Sequence, residues 1–224
     1  MKNVVKIMIL VFGVTMTTES FAQKFGLKGG LNLSNMLIKD DDDTYSDDFK
    51  MNPGFHIGGT AEFPLSDVLS FETGLLLSTK GFKISEEETI LGMTSKIEGK
   101  SNLLYLDIPL TAKASFDLGG AKLYGSLGPY VGMGLSGKSE SEVTLMGETT
   151  KDENDIEWGS DEESDFKRLD FGLNMGAGVE INSIEIGLAY NLGLANISPI
   201  TDGGLMINNR VLALSVGYKF GGRY

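Results

Sequence analysis

Apolar and polar side chains alternate one for one through long stretches of this chain, and no segment is apolar over the roughly 20 residues that a bilayer-spanning helix requires. The alternation is clearest from Leu104 to Phe116. There Leu104, Leu106, Ile108, Leu110, Ala112, Ala114 and Phe116 share one face, and Tyr105, Asp107, Pro109, Thr111, Lys113 and Ser115 share the other. Residues 68–80 split the same way, with Leu69, Phe71, Leu75 and Leu77 opposite Ser70, Glu72, Gly74, Ser78 and Lys80. The period predicts eight strands, near residues 24–34, 53–63, 68–80, 102–116, 121–135, 168–181, 183–194 and 210–220. A content of 30 glycines against 5 prolines suits such a strand-rich chain, and no linker divides it.

The first residues have a different character. Lys2 and Lys6 precede an apolar run from Ile7 to Val14, and Ser20-Phe21-Ala22 offers small residues at the two positions a signal peptidase reads. We therefore expect a signal peptide over residues 1–22, cleaved between Ala22 and Gln23, and one domain over 23–224. The absence of cysteine leaves an exported protein with neither disulfides nor thiolate metal ligands. A net charge of −12 excludes nucleic-acid binding through a general basic field.

Connection lengths alternate. Tight turns are predicted at residues 64–67, 117–120 and around Asn182, with long connections at 36–51, 81–99, 136–167 and 195–209. Those four hold 22 of the 31 acidic residues and 7 of the 19 basic ones. Short turns on one rim and long acidic loops on the other are the pattern of a transmembrane β-barrel, one of the two structures that satisfy every backbone group in lipid. The expected fold is therefore all-β, an eight-stranded antiparallel up-and-down transmembrane barrel with short periplasmic turns and long acidic extracellular loops.

Aromatic placement favours an apolar face turned to lipid over one turned inward as in a soluble carrier. Phe25, Phe63, Phe71, Phe116, Tyr218 and Phe220 fall near the short-turn rim, while Phe55, Phe171 and Tyr190 fall toward the other, as two interfacial girdles would. The second face then lines the interior. It is expected to carry a polar network of Lys28, His56, Glu62, Glu72, Asp107, Lys113, Arg168, Asp170, Glu180, Glu185 and Lys219, paired because unpaired charges are costly in a poorly hydrated lumen.

Residues 25–34 (Phe-Gly-Leu-Lys-Gly-Gly-Leu-Asn-Leu-Ser), Leu103-Leu-Tyr-Leu-Asp-Ile-Pro-Leu110 and Gly128-Pro-Tyr-Val-Gly132, with Phe171-Gly-Leu and Asn191-Leu-Gly-Leu-Ala-Asn-Ile197, resemble the PorT-like outer-membrane β-barrel family of Bacteroidota. The resemblance spans nearly all of residues 23–224 and implies an outer-membrane location. It implies no reaction, because strand patterns define the family.

Three motifs invite a chemical reading. Gly132-Met-Gly-Leu-Ser-Gly-Lys-Ser139 matches a phosphate loop, but the acidic, β-leaning residues after it do not suit the helix that motif needs, so no nucleotide is expected. Asp40–Asp43 with Asp47 and Asp48 lacks the glycine and glutamate of a calcium loop, and with residues 152–165 it is taken as solvated charge without a metal site. His56, the one histidine, is taken as a packed interior side chain. No catalytic residue and no cofactor is expected. The expected partners are outer-membrane lipid, lipopolysaccharide and a protein bound through the extracellular loops. The function expected is a noncatalytic barrel displaying acidic surface loops for envelope structure, adhesion or partner binding. The alternatives are a small-solute porin or transporter, disfavoured because side chains nearly fill an eight-stranded interior, and an enzyme or an accessory barrel of a secretion machinery.

Overall fold

The computed structural model describes residues 23–41, 43–44, 50–90, 93–145 and 148–221. The expected leader, with Ala22 of its cleavage pair, lies outside the described residues, as do Asp42, Asp47 and Asp48 of the acidic run. Strands β1 (Lys24–Lys39), β2 (Asn52–Pro64), β3 (Leu69–Ile90), β4 (Met93–Asp117), β5 (Lys122–Leu145), β6 (Glu148–Asp155), β7 (Leu169–Ile181), β8 (Ile184–Gly193) and β9 (Met206–Phe220) form one antiparallel sheet. Eight of them close into a ring in chain order: β4 pairs with β5, β5 with β7, and β9 returns to β1 with Phe25 opposite Phe220 and Leu33 opposite Leu212. Among the described residues no helix is long and apolar enough to cross a membrane.

The period-two pattern decides which way each side chain points. Leu27, Leu31, Ile57, Leu127, Leu188 and Val216 face outward and stay exposed, whereas Asn32, Glu72, Lys113, Asp170 and Glu185 face inward and are buried. Leu31 is 65% exposed and Lys113 1%, an inversion of the usual soluble arrangement that makes sense only with lipid outside. The short turns close as local chemistry suggests. Leu118 N–H donates to the Ala121 carbonyl at 2.8 Å, the Asp117 carboxylate accepts from Gly119 N–H, and Asn182 takes the positive φ of 54° that the β7–β8 turn requires.

Two of the expected long loops are strand instead. Residues 81–90 continue β3 and 93–99 belong to β4 past the ring, and much of the described part of 136–167 continues β5 and adds β6, so a four-stranded sheet projects beyond the long-connection rim. Its apolar residues, Phe82, Ile84, Ile97 and Val143, are too sparse to sustain the alternation that marks the barrel strands. Pairing with a neighbour already in register carries the strands onward.

Candidate functional site

Inward register alone gathers most of the interior charges. Lys113 on β4 bonds Glu185 of β8 and lies 3.1 Å from Glu72 of β3 and 3.6 Å from Glu62 of β2. Lys219 of β9 reaches Glu62 and Glu180 at 2.6 Å and Glu185 at 2.7 Å. Lys28 pairs with Glu72 at 2.7 Å and Glu185 at 3.2 Å. The Tyr124 hydroxyl donates to Glu185 at 3.1 Å, and its ring lies under the Lys113 ammonium. That ring needs glycines opposite, since a Cβ on Gly178 or Gly187 would sit 2.5 or 2.1 Å from the hydroxyl. Oxygens of Glu62, Glu180 and Glu185 lie within 4.8 Å of one another, a spacing that a metal ion accepts. Here the Lys219 ammonium bonds all three carboxylates, and Lys24, Lys28 and Lys113 supply further positive charge to them.

A second layer lies nearer the long-connection rim. Lys80, with a fully buried ammonium-bearing side chain, bonds Asp107 and Asp170 at 2.9 Å each and is flanked by the rings of Tyr105 and Tyr130 at 4.5 and 4.6 Å. Tyr130 and Asn209 add hydrogen bonds to Asp170. Lys80 stands on the polar face in the sequence, but its partners come from β4 and β7, and alternation within one strand carries no sign of that meeting.

Arg168 departs from expectation. It lies at the rim rather than in the network, donating to the Gly134 carbonyl at 3.1 Å with its guanidinium 5.9 Å from the Trp158 ring. It makes no ion pair among the described residues. The strand that would have held it inward begins one residue later, at Leu169.

Between the two layers His56 is buried in a row of neutral groups. The Asn32 amide nitrogen donates to the Phe55 and Thr79 carbonyls at 3.1 and 2.9 Å and to Ser78, which leaves Asn32 Oδ1 facing His56 Nδ1 at 2.7 Å. Nδ1 must then carry the hydrogen, and Nε2 accepts from the Ser215 hydroxyl at 2.9 Å. The row borders a cavity of about 80 Å³ lined also by Lys28, Asp107 and Tyr130. Glu72 and Asp107, on the same inner face, are not hydrogen-bonded to the ring.

The mouth at the long-connection rim is closed by apolar packing. Met36, Leu103, Tyr105, Phe166, Ala195 and Ile197 are buried together, with Ile156 and Trp158 against them. Trp158 meets the Tyr105 ring edge-on at 5.5 Å and lies over Gly134, where a Cβ would come within 2.4 Å of the indole. Of these, Ile156, Trp158 and Phe166 fall in the acidic connection 136–167 expected to be a loop. An isolated Trp and Phe among carboxylates were the available signal.

The projecting sheet has two unlike faces. One carries Lys83, Lys96, Glu98, Lys100, Glu140, Glu142, Lys151 and Glu153, the other Phe82, Ile84, Ile97 and Val143. Hydrogen bonds from Lys96 and Lys83 hold the Glu98 carboxyl below the usual carboxylate range. Residues Gly132–Ser139 lie wholly within β5, so the phosphate-loop match lacks the strand-to-helix turn on which that motif depends.

A closed ring of strands with an apolar exterior and a charged, filled interior defines an integral outer-membrane β-barrel. The chain belongs to the outer membrane protein beta-barrel domain family, whose pattern matches residues 21–198. Among solved structures it is similar to OprG from Pseudomonas aeruginosa (16% identity, 90% of this chain and 97% of that one, TM-score 0.45). It is also similar to Ail, the attachment invasion locus protein of Yersinia pestis (16% identity, 89% and 99%, TM-score 0.36), and to the outer membrane protease OmpT of Escherichia coli (10%, 92% and 99%, TM-score 0.36). No curated protein matches it. None of these likenesses bears on activity.

Proposed function

We propose that this protein is a noncatalytic, nonconducting outer-membrane barrel that holds the β3–β6 sheet outside the cell for adhesion, envelope support or capture of a partner. The observation that supports this reading is the sheet. Three ring strands, β3, β4 and β5, run on past the ring, β6 is added to them as the edge, and every residue of β6 is exposed. Interleaved lysines and carboxylates on one face guard that edge against uncontrolled pairing while offering a patterned charge surface. In this reading the short turns face the periplasm, a signal peptide over residues 1–22 delivers the chain, lipopolysaccharide surrounds the long-connection rim, and the strand motifs group it with PorT-like barrels of Bacteroidota. The test replaces residues 84–97 and 140–153 by short turns. The shortened protein should still migrate differently before and after boiling, as a closed barrel does, but cells carrying it should lose attachment or partner binding conferred by the full chain. Undiminished attachment would move the function into the barrel.

The Asn32–His56–Ser215 row favours a second reading, acyl transfer with Ser215 as nucleophile, because base and orienting group stand in the order that chemistry uses. The adjoining cavity of about 80 Å³ has room for water but not for an acyl substrate. A fluorophosphonate probe should therefore leave Ser215 unlabelled. Labelling that His56→Ala abolishes would establish the hydrolase.

A further inference from the structure

From the short turns up to the level where Arg210 pairs with Asn35 of β1 and Leu192 of β8, the outward positions of the ring hold apolar, aromatic or small neutral side chains, and among the described residues Arg210 is the one charged exception. Ten residues separate it from Phe220 at the other end of β9. That is about 33 Å of strand, or about 23 Å of height at the usual tilt near 45°, close to the ~25 Å apolar band of such barrels. Arg210 thus stands where hydrocarbon gives way to headgroups. Its Nε is buried without a hydrogen-bond partner, and no described carboxylate pairs with it. An unpaired guanidinium on a lipid face is costly unless an anion from the membrane completes it.

Beside it the rim is grooved. Leu194, two residues on from Arg210's neighbour Leu192, lines a groove of about 490 Å³ with Leu169, Phe171, Trp158, Lys167 and Arg168. Its lining contains no carboxylate, although the long connections around it are rich in them. Lys167 and Arg168 make no ion pair among the described residues, and the buried Nε1 of Trp158 has no acceptor. Below these donors, Leu169, Phe171 and Leu194 are about half exposed and continuous with the lipid-facing surface.

We propose that this groove, with Arg210 at its edge, binds a phosphate-bearing lipid of the leaflet at the long-connection rim. Lys167, Arg168 and Arg210 would take the phosphates, and the apolar wall would take the acyl chains. Charge complementarity and the unbroken passage from cationic lip to apolar belt select an amphipathic anion over a neutral lipid. This rests on the barrel lying in the outer membrane, and it is independent of what the projecting sheet binds.

The test uses the full folded protein in neutral detergent and native mass spectrometry, with bisphosphorylated lipid A, its dephosphorylated form and inorganic phosphate as probes. The protein should retain one bisphosphorylated lipid, and the dephosphorylated form should be held about tenfold more weakly. Lys167→Gln with Arg168→Gln and Arg210→Gln should abolish the difference, while Lys138→Gln with Lys151→Gln on the projecting sheet should preserve it. Equal retention of the two lipids overturns the proposal, and that comparison on the unaltered protein decides even if the triple variant fails to fold. Displacement of the lipid by millimolar inorganic phosphate would equally overturn it, because the acyl chains would then contribute nothing.

Discussion

Lys113 shows how much a single buried charge can govern. It bonds carboxylates from two other strands with 1% of its side-chain surface exposed, so Lys113→Ala would leave Glu72 with Lys28 as its remaining cation and take one of three cations from Glu185, in a lumen with little water. Breaking a buried pair costs about 3–5 kcal/mol, whereas an exposed pair is worth about 0.2–1 kcal/mol. We therefore expect Lys113→Ala to lower the unfolding temperature far more than Lys138→Ala, which removes the exposed partner of Glu153 on the projecting sheet. Equal shifts, read from loss of the heat-sensitive gel mobility, would mean that water reaches the lower network. A second residue-scale expectation concerns Trp158, which caps Tyr105 and covers Gly134. Trp158→Ala opens a large void in the apolar plug at a cost of about 3–5 kcal/mol. It should make the mouth accessible to small polar quenchers that read Tyr105 or Tyr130 fluorescence, while leaving the strand ring closed.

The strands divide into those whose pattern is visible in the chain and those whose pattern is not. Where one face meets lipid and the other a packed lumen, as from Leu104 to Phe116, alternation marks the strand and even its outward side. Beyond the rim both faces of β3–β6 are solvated, so Glu148–Asp155 looks like loop although it pairs with β5 throughout. The interior charges were legible for the same reason as the strands, but their partnerships were not. Lys80 finds Asp170 across the barrel at 2.9 Å because ring closure brings β3 near β7. Arg168 shows the converse, its inward parity lapsing where β7 has not yet begun. Strand pairing also sets where a protease can cut. The exposed connection at Asp161, Glu162 and Glu163 is outside the sheet, whereas Glu148 and Glu153 are held in β6. Glu-specific protease added to intact cells should therefore cleave first at Glu162 or Glu163. First cleavage at Glu153 would show that β6 is not stably paired, and a nonspecific protease cutting first between Asp117 and Ala121 would show that the short turns face outward.

Seen along its axis, the molecule is closed at three heights. The lower network of Lys28, Lys113 and Lys219 with four glutamates crosses the lumen, Lys80 with Asp107 and Asp170 crosses it again, and Trp158 with Phe166 fills the mouth. A cavity of about 80 Å³ beside His56 lies open between the first two, which is room for a few waters and no path. An eight-stranded ring has little interior beyond its own side chains, so the tyrosines and paired charges leave no continuous aqueous column. An ion crossing this lumen would have to part Lys80 from both aspartates and then displace the plug, and each step exposes groups that are buried and paired at rest. The purified protein in a planar bilayer should therefore show no stable unitary current, and liposomes containing it should not swell in isosmotic sugar. Lys80→Ala, which leaves Asp107 and Asp170 without their shared cation, should hydrate the middle layer and destabilise the barrel. It should still not conduct steadily, since the apolar plug above it and the charged network below it stay intact. Steady single-channel steps from the unaltered protein would mean that the interior is open and wet, and a solute pore would then replace the display barrel as the reading of this fold.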